Sequence, residues 1–192
     1  MLNCLLAGVG GQGTVLASRL IAQAAMDRGE MARTAETIGM AQRGGCVVSH
    51  VRTGKQIFSS LIPKGKADIL IGFEPAEAVR CLPYLKKDGA VIVAQKAVRP
   101  VTASLSNSEY EGAPMIAFLQ KHVEHLIVVD GEAICAACGS PKVLNVALLG
   151  AAVASGALGI SMADMEETIK QRVPKKFIDL NLKALQLGAQ SR

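Results

Sequence analysis

The chain has no tryptophan and only two tyrosines and four phenylalanines among its 192 residues. That scarcity argues against an aromatic-cored sandwich, and against a nucleic-acid binder that stacks bases on exposed rings. Half of the residues are nonetheless hydrophobic, so a sizeable core has to be assembled from Ala, Val, Leu and Ile. Glycines let backbones approach closely within it. This composition favours layered α/β architecture, and the length suits a single domain over 1–192. The charge excess is small. A net charge of +5 comes from scattered basic residues with only short pairs (Lys86-Lys87, Lys175-Lys176), a pattern compatible with an anionic ligand or acidic partner but not with a nucleic-acid stripe.

Other absences narrow the setting. Five cysteines (Cys4, Cys46, Cys81, Cys135, Cys138) form no disulfide framework, and the start of the chain lacks the basic region and long apolar core of a secretory leader. Reduced thiols in a cytoplasm are the expectation. The one long apolar run, Val143–Ile160, is at the lower limit for a membrane span. It is rich in Ala and Gly and interrupted by Asn145 and Ser155, which fits a small-residue helix packed on a sheet better than a bilayer segment.

What is present is organised around the beginning of the chain. The apolar run Leu2–Ala7 leads into Gly8-Val-Gly10-Gly11-Gln12-Gly13, followed by helical spacing from Thr14 to Arg28. Strand, glycine turn and helix N-terminus in that order bring bare backbone amides to the positive end of a helix dipole, where phosphate binds well. The same turn also serves plain strand–helix packing. After Gly29, Met31–Thr37 reads as a second strand ending near Glu36, the position at which a dinucleotide-binding fold presents a carboxylate to a ribose hydroxyl. A solvated loop residue is the plainer alternative. Gln42-Arg43-Gly44-Gly45 follows, a guanidinium beside two glycines that could converge on an anion together with the first turn.

Cys46–Arg52 alternates as a strand, with Val47, Ser49 and Val51 on one side and Val48, His50 and Arg52 on the other. Thr53-Gly-Lys55 is expected to turn the chain so that Gln56–Ile62 returns as a hairpin partner. His50 reads as structural more readily than as a ligand contact. Ala67–Phe73 is a continuous buried-strand run, Glu74-Pro75 opens a helix, Pro83 interrupts it, Lys86–Gly89 reads as a turn, and Ala90–Ala94 as the next strand. Residues 95–112 loosen, helical spacing resumes over Pro114–His122, and Leu126–Val129 is a last strand. The overall expectation is a Rossmann-like α/β domain: a mostly parallel sheet flanked by helices, with a hairpin insertion and C-terminal helices.

Cys135-Ala-Ala-Cys138 allows two readings. It could be a dithiol at a helix start or half of a zinc site, but no second ligand pair stands at suitable spacing. The surrounding residues read as helix, in which cysteine is a small buried hydrophobe. Towards the end, Ser161-Met-Ala-Asp164 resembles a capping box, helical spacing runs to Val173, and a further apolar stripe continues from Phe177 to Leu187, ending at Gly188.

Taken together, Gly8-Val-Gly-Gly-Gln-Gly13, Thr37-Ile-Gly-Met-Ala-Gln-Arg-Gly-Gly45 with Val48-Ser-His-Val-Arg52, Asn145-Val-Ala-Leu-Leu-Gly150, and Phe177-Ile-Asp-Leu-Asn-Leu-Lys-Ala184 with Gly188 resemble the small subunit of the 2-oxoacid:ferredoxin oxidoreductases, most closely the indolepyruvate type. The resemblance implies a subunit inert alone. It implies a larger partner carrying thiamine diphosphate and iron–sulfur clusters, decarboxylation of an aryl 2-oxoacid, transfer of electrons to ferredoxin, and release of an acyl-coenzyme A. The chain has no four-cysteine cluster pattern of its own, and it departs from the family pattern at Cys46 and at the Cys135/Cys138 pair.

On this reading no residue of the chain is catalytic and none binds a metal. Gly10, Gly11, Gln12 and Gly13, with Gln42, Arg43, Gly44 and Gly45, form one face that closes over the partner's site or holds an anionic part of coenzyme A. The rival is a free-standing nicotinamide or flavin oxidoreductase using Gly8, Gly10, Gly13 and Glu36. A third reading is an interaction module with an empty crevice. Surplus apolar surface on the C-terminal helices would favour a homodimer when the partner is missing. No nucleic acid or membrane partner is expected.

Overall fold

In the computed structural model, residues 1–38, 45–98 and 110–191 are described. Six strands form one sheet in the order β2-β3-β1-β4-β5-β6. They are β1 (Leu2–Val9), β2 (Met31–Ile38), β3 (Cys46–Gly54), β4 (Ala67–Gly72), β5 (Leu85–Ala94) and β6 (His125–Val129). The apolar runs of β1, β4, β5 and β6 pair in parallel, as expected for strands covered on both faces. On the other flank β3 runs antiparallel to both β1 and β2.

Helices cover the two faces. α1 (Thr14–Asp27), α4 (Gly131–Cys138), α5 (Leu144–Ala154), α6 (Met162–Arg172) and α7 (Ile178–Ala189) build the larger core on one side. α2 (Pro75–Cys81) and α3 (Ala113–His122) build the smaller one on the other. The expected helix signals act as read. Glu74 caps α2 by accepting the Glu77 amide at 2.9 Å, with Pro75 in the first turn. Ser161 and Asp164 form the reciprocal capping box that starts α6. The apolar run from Val143 becomes α5, which ends at Ala154, and among the described residues no helix is long and apolar enough to cross a membrane.

Met31–Thr37 is a strand as read, within β2, and β3 separates it from β1. Three local expectations are corrected. Gln56–Ile62 is not a strand. β2 already occupies the free edge of β3, so the segment has no ladder to join. Lys86–Gly89 does not turn the chain, because these residues belong to β5, Lys86 is ion-paired with Asp68 on β4, and the irregularity is absorbed as a register shift between Ala67 and Ile69. Gly188 does not end the last helix, which runs on to Ala189.

The 55–66 loop replaces a helix on the α2 side of β2 and β3. Ile57 and Ile62 are buried under it, and the buried His50 accepts the Ile62 amide through Nδ1 at 3.1 Å, with Tyr84 edge-on to its ring. A nitrogen accepting a backbone hydrogen bond must be unprotonated, and burial pulls the His50 pKa below its ordinary value. Because the folded state resists a proton that the unfolded chain accepts near pH 6.5, the His50 contribution should be constant above about pH 7, and stability should fall as pH drops below the unfolded-state value. Urea unfolding at pH 7.5 and pH 5 should show this loss in the wild type and a smaller one in His50→Gln. Equal losses would remove His50 as its source.

Candidate functional site: the glycine turn and its crevice

β1 and β4 are adjacent parallel strands whose connections run to opposite sides of the sheet, β1 through α1 to β2 and β4 through α2 to β5, and the C-terminal ends of such strands form a natural crevice. The glycine turn sits there, and its shape is held by side chains. The Gln12 amide accepts the Val9 N–H through Oε1 at 2.8 Å and donates through Nε2 to the Phe73 carbonyl at 2.9 Å, tying the end of β1 to the end of β4. Gly8 is buried so tightly against this clamp that a Cβ would sit 2.8 Å from both Gln12 Oε1 and Phe73 Cβ. Gly11 and Gly13 take positive φ angles of 98° and 81°, which side-chain-bearing residues rarely adopt.

Two of the four amides expected to face a ligand are already committed. The Gly10 amide donates to the Gly45 carbonyl at 2.9 Å and the Gln12 amide to Val9 at 3.3 Å. Among the described residues the start of α1 remains open: no side chain caps it and its first turn carries no acid, so its first amides and dipole have no partner there. Asn145 at the start of α5 donates to the Gly13 carbonyl at 3.4 Å, and a Cβ on Gly13 would meet that amide at 2.7 Å. Two separate stretches of sequence thus meet at one point. Of the second glycine stretch, Gly45 meets the turn through the Gly10 bond, whereas Gln42, Arg43 and Gly44 lie outside the described residues.

Beside the turn lies a mostly apolar cavity of about 220 Å³, walled by Gln12, Ala94, Cys135 and Leu144, with the Lys96–Glu132 ion pair at its rim. Sequence reading missed this cavity, because its walls come from β5, α4 and α5, far apart in the chain. Cys135 and Cys138 lie one turn apart on α4, both half-buried against the core. Burial, then the neighbouring Cys138 and Glu132, raises the Cys135 pKa, the opposite of an activated thiol. The helical, small-hydrophobe reading of the pair therefore holds. Among the described residues no three His, Cys, Asp or Glu side chains converge on a metal position.

On the α2 side of the same edge, the buried Glu74 carboxylate accepts the Tyr110 hydroxyl at 2.8 Å as well as its capping bond. Burial and that carboxylate raise the phenol's pKa. Cys46, next to Gly45, is pushed up to about 11 by burial and by the Glu77 carboxylate, so it is a protonated thiol at neutral pH. Glu36 accepts a 3.3 Å hydrogen bond from Ser18 on α1 and stands a full strand further from the glycine turn than a ribose-binding carboxylate does.

A family model described as pyruvate ferredoxin/flavodoxin oxidoreductase matches residues 3–191. The chain belongs to this family. It is 39% identical to the indolepyruvate oxidoreductase subunit IorB of Archaeoglobus fulgidus, over 97% of this chain and 93% of that one. It is 34% identical to the protein of the same name from Pyrococcus horikoshii, over 98% and 95% of the two chains. Its fold matches the crystal structure of a keto/oxoacid ferredoxin oxidoreductase gamma subunit from Geobacter sulfurreducens with a TM-score of 0.72 and 25% identity, over 98% of this chain and 96% of that one. Both of these relatives are named as subunits, and the fold is that of the gamma subunit.

Proposed function

We propose that this chain is the small, non-catalytic subunit of a thiamine diphosphate-dependent, ferredoxin-linked 2-oxoacid oxidoreductase of the indolepyruvate type. The larger partner chain carries the thiamine diphosphate and the iron–sulfur clusters, and the complex releases an acyl-coenzyme A. The observation that carries this reading is the near-full-length similarity to proteins named indolepyruvate oxidoreductase subunits. The geometry is in keeping with it. The open α1 N-terminus suits an anionic group such as a coenzyme A phosphate, and the adjoining cavity could accept a narrow apolar arm. Gly11, Gly13 and the α1 amides would provide hydrogen bonds there, and Arg43 a charge; Gln12 and Gly45 hold the turn in shape. Thiamine diphosphate supplies the electron sink for decarboxylation when bound in the partner. This chain's part is to position coenzyme A and keep water out of the shared site.

The free-standing dinucleotide enzyme is disfavoured by the displaced Glu36, which its ribose recognition would require beside the glycine turn. Both readings are tested by expressing the chain with its genomic neighbour and assaying coenzyme A-dependent viologen reduction by indolepyruvate. Activity is expected only with both chains present. Arg43→Ala should then lower kcat/KM for coenzyme A by roughly tenfold or more, the scale of a charge-assisted contact to phosphate, with little change in melting temperature. Unchanged kinetics would remove Arg43 from that role, and tight NAD or FAD binding by the isolated chain would overturn the subunit reading.

A further inference from the structure

The 55–66 loop has no regular secondary structure, yet its main chain is gripped at several points. Arg33 Nε donates to the Ile57 carbonyl at 2.8 Å. Arg52 Nη1 donates to the Ser59 and Leu61 carbonyls at 3.0 and 3.1 Å, and the Ile62 amide is held by His50. These three side chains share one face of the sheet, since Arg33 stands opposite Arg52 on the neighbouring strand and His50 is two residues from Arg52. Within the gripped segment the apolar residues alternate in function. Ile57 and Ile62 are each only 2% exposed, whereas Phe58 is 86% and Leu61 57% exposed. A lone exposed apolar side chain is ordinary. Two large ones presented outward on a backbone ordered by two guanidiniums and an imidazole are not, because the entropy that binding normally consumes in ordering a loop has already been lost in folding.

The charge within the loop is one-sided. Between Glu36 and Asp68 the sequence contains no acidic residue, while Lys55, Lys64 and Lys66 flank the tip and are exposed. The loop joins the end of β3 to the start of β4, at the end of the strands opposite the glycine turn, so an attachment here is separate from the crevice and adds to the contact proposed there.

We propose that the 55–66 loop is a preformed anchor that inserts Phe58 and Leu61 into an apolar socket rimmed by carboxylates on the larger subunit. This rests on the subunit reading above and adds a place of attachment to it. Charge complementarity selects the occupant: an acidic rim answers the lysines, and a rigid apolar tip needs a rigid socket.

The test measures binding of the purified larger subunit to the full-length chain by biolayer interferometry, alongside thermal melts. The Phe58→Ser/Leu61→Ser double variant should melt within a few degrees of wild type, since neither side chain packs in the core, and bind roughly 100-fold more weakly, about tenfold for each lost anchor. Lys55→Glu/Lys64→Glu should weaken binding and flatten its salt dependence. If wild type binds and the double variant binds equally well, the anchor is overturned while the subunit reading stands. If wild type itself fails to bind, both fall. Two further outcomes would also overturn the anchor: loss of binding only to vesicles of phosphatidylcholine and phosphatidylglycerol, which would make the loop a membrane contact, or conversion of a wild-type dimer to monomer with subunit affinity intact, which would make the occupant a second copy.

Discussion

Replacing Gly188 or Gly150 with alanine should destabilise the chain by about 3 kcal/mol or more, the upper range for forcing volume into a packed core. Helix propensity predicts the opposite sign, because glycine inside a helix costs about 1 kcal/mol relative to alanine. Packing decides against propensity here. A Cβ on Gly150 would lie 1.9 Å from the Leu185 carbonyl oxygen, and one on Gly188 would lie 1.9 Å from that of Ala147. The obstacles are backbone atoms of α7 and α5 that cannot rotate away, so the two helices would have to separate along their crossing. Both glycines are buried there among Ala147, Ala151, Ala184 and Leu185. At about 2–4 °C per kcal/mol for a chain of this size, the melting temperature should fall by roughly 6–12 °C, and soluble yield should fall with it. Gly156→Ala is the contrasting control. That glycine lies outside the helices in open space, and its positive φ of 77° is the only source of strain. A Gly150→Ala chain as stable as wild type would mean that the helices are not in backbone contact.

Gln12→Ala should cost about 2–3 kcal/mol and, in the assembled complex, lower turnover more than that loss of stability accounts for. Both amide ends are in use, and truncation orphans two main-chain groups at once, the Val9 N–H and the Phe73 carbonyl; each buried, unpaired polar group costs about 1–3 kcal/mol, part of which water recovers at the open edge. Gln12→Glu separates the two bonds. It retains the acceptor for Val9 but sets a carboxylate oxygen against the Phe73 carbonyl, so it should be nearly as damaging as alanine. Since the clamp fixes where β1 hands over to α1, its loss displaces the open helix start as well as the turn. Urea unfolding gives the stability term, and viologen reduction under conditions where all variants are folded gives the catalytic one. Equal stability of Gln12→Ala and wild type would show that the turn holds its shape without the clamp.

Several features were legible in the sequence because a local pattern caused them. The glycine turn, the buried parallel strands, the Glu74-Pro75 helix start, the Ser161 capping box and the helical reading of Cys135–Cys138 each depend on neighbours a few residues away. The errors occurred where composition and partnership conflict. Lys86–Gly89 has the makeup of a turn, but it lies between the Ala67–Leu85 and Ile69–Ala90 pairings with β4, where Lys86 also pairs with Asp68. Gln56–Ile62 follows a turn signal and carries the apolar residues of a hairpin partner, but the edge it would need is occupied by β2.

The sequence by itself determined the class of fold and the glycine-rich start, because hydrophobic period and glycine placement act through local backbone preference and burial. Only the tertiary structure decided which strand lies beside β1, and therefore that Glu36 turns to Ser18 instead of the crevice. It alone decided that Asn145 reaches Gly13 across the fold, that Gly150 and Gly188 are points of helix contact, and that Phe58 faces out while Ile57 faces in. Each of these depends on distances between segments far apart in the chain, and spacing along a sequence carries no record of such distances until the sheet is assembled.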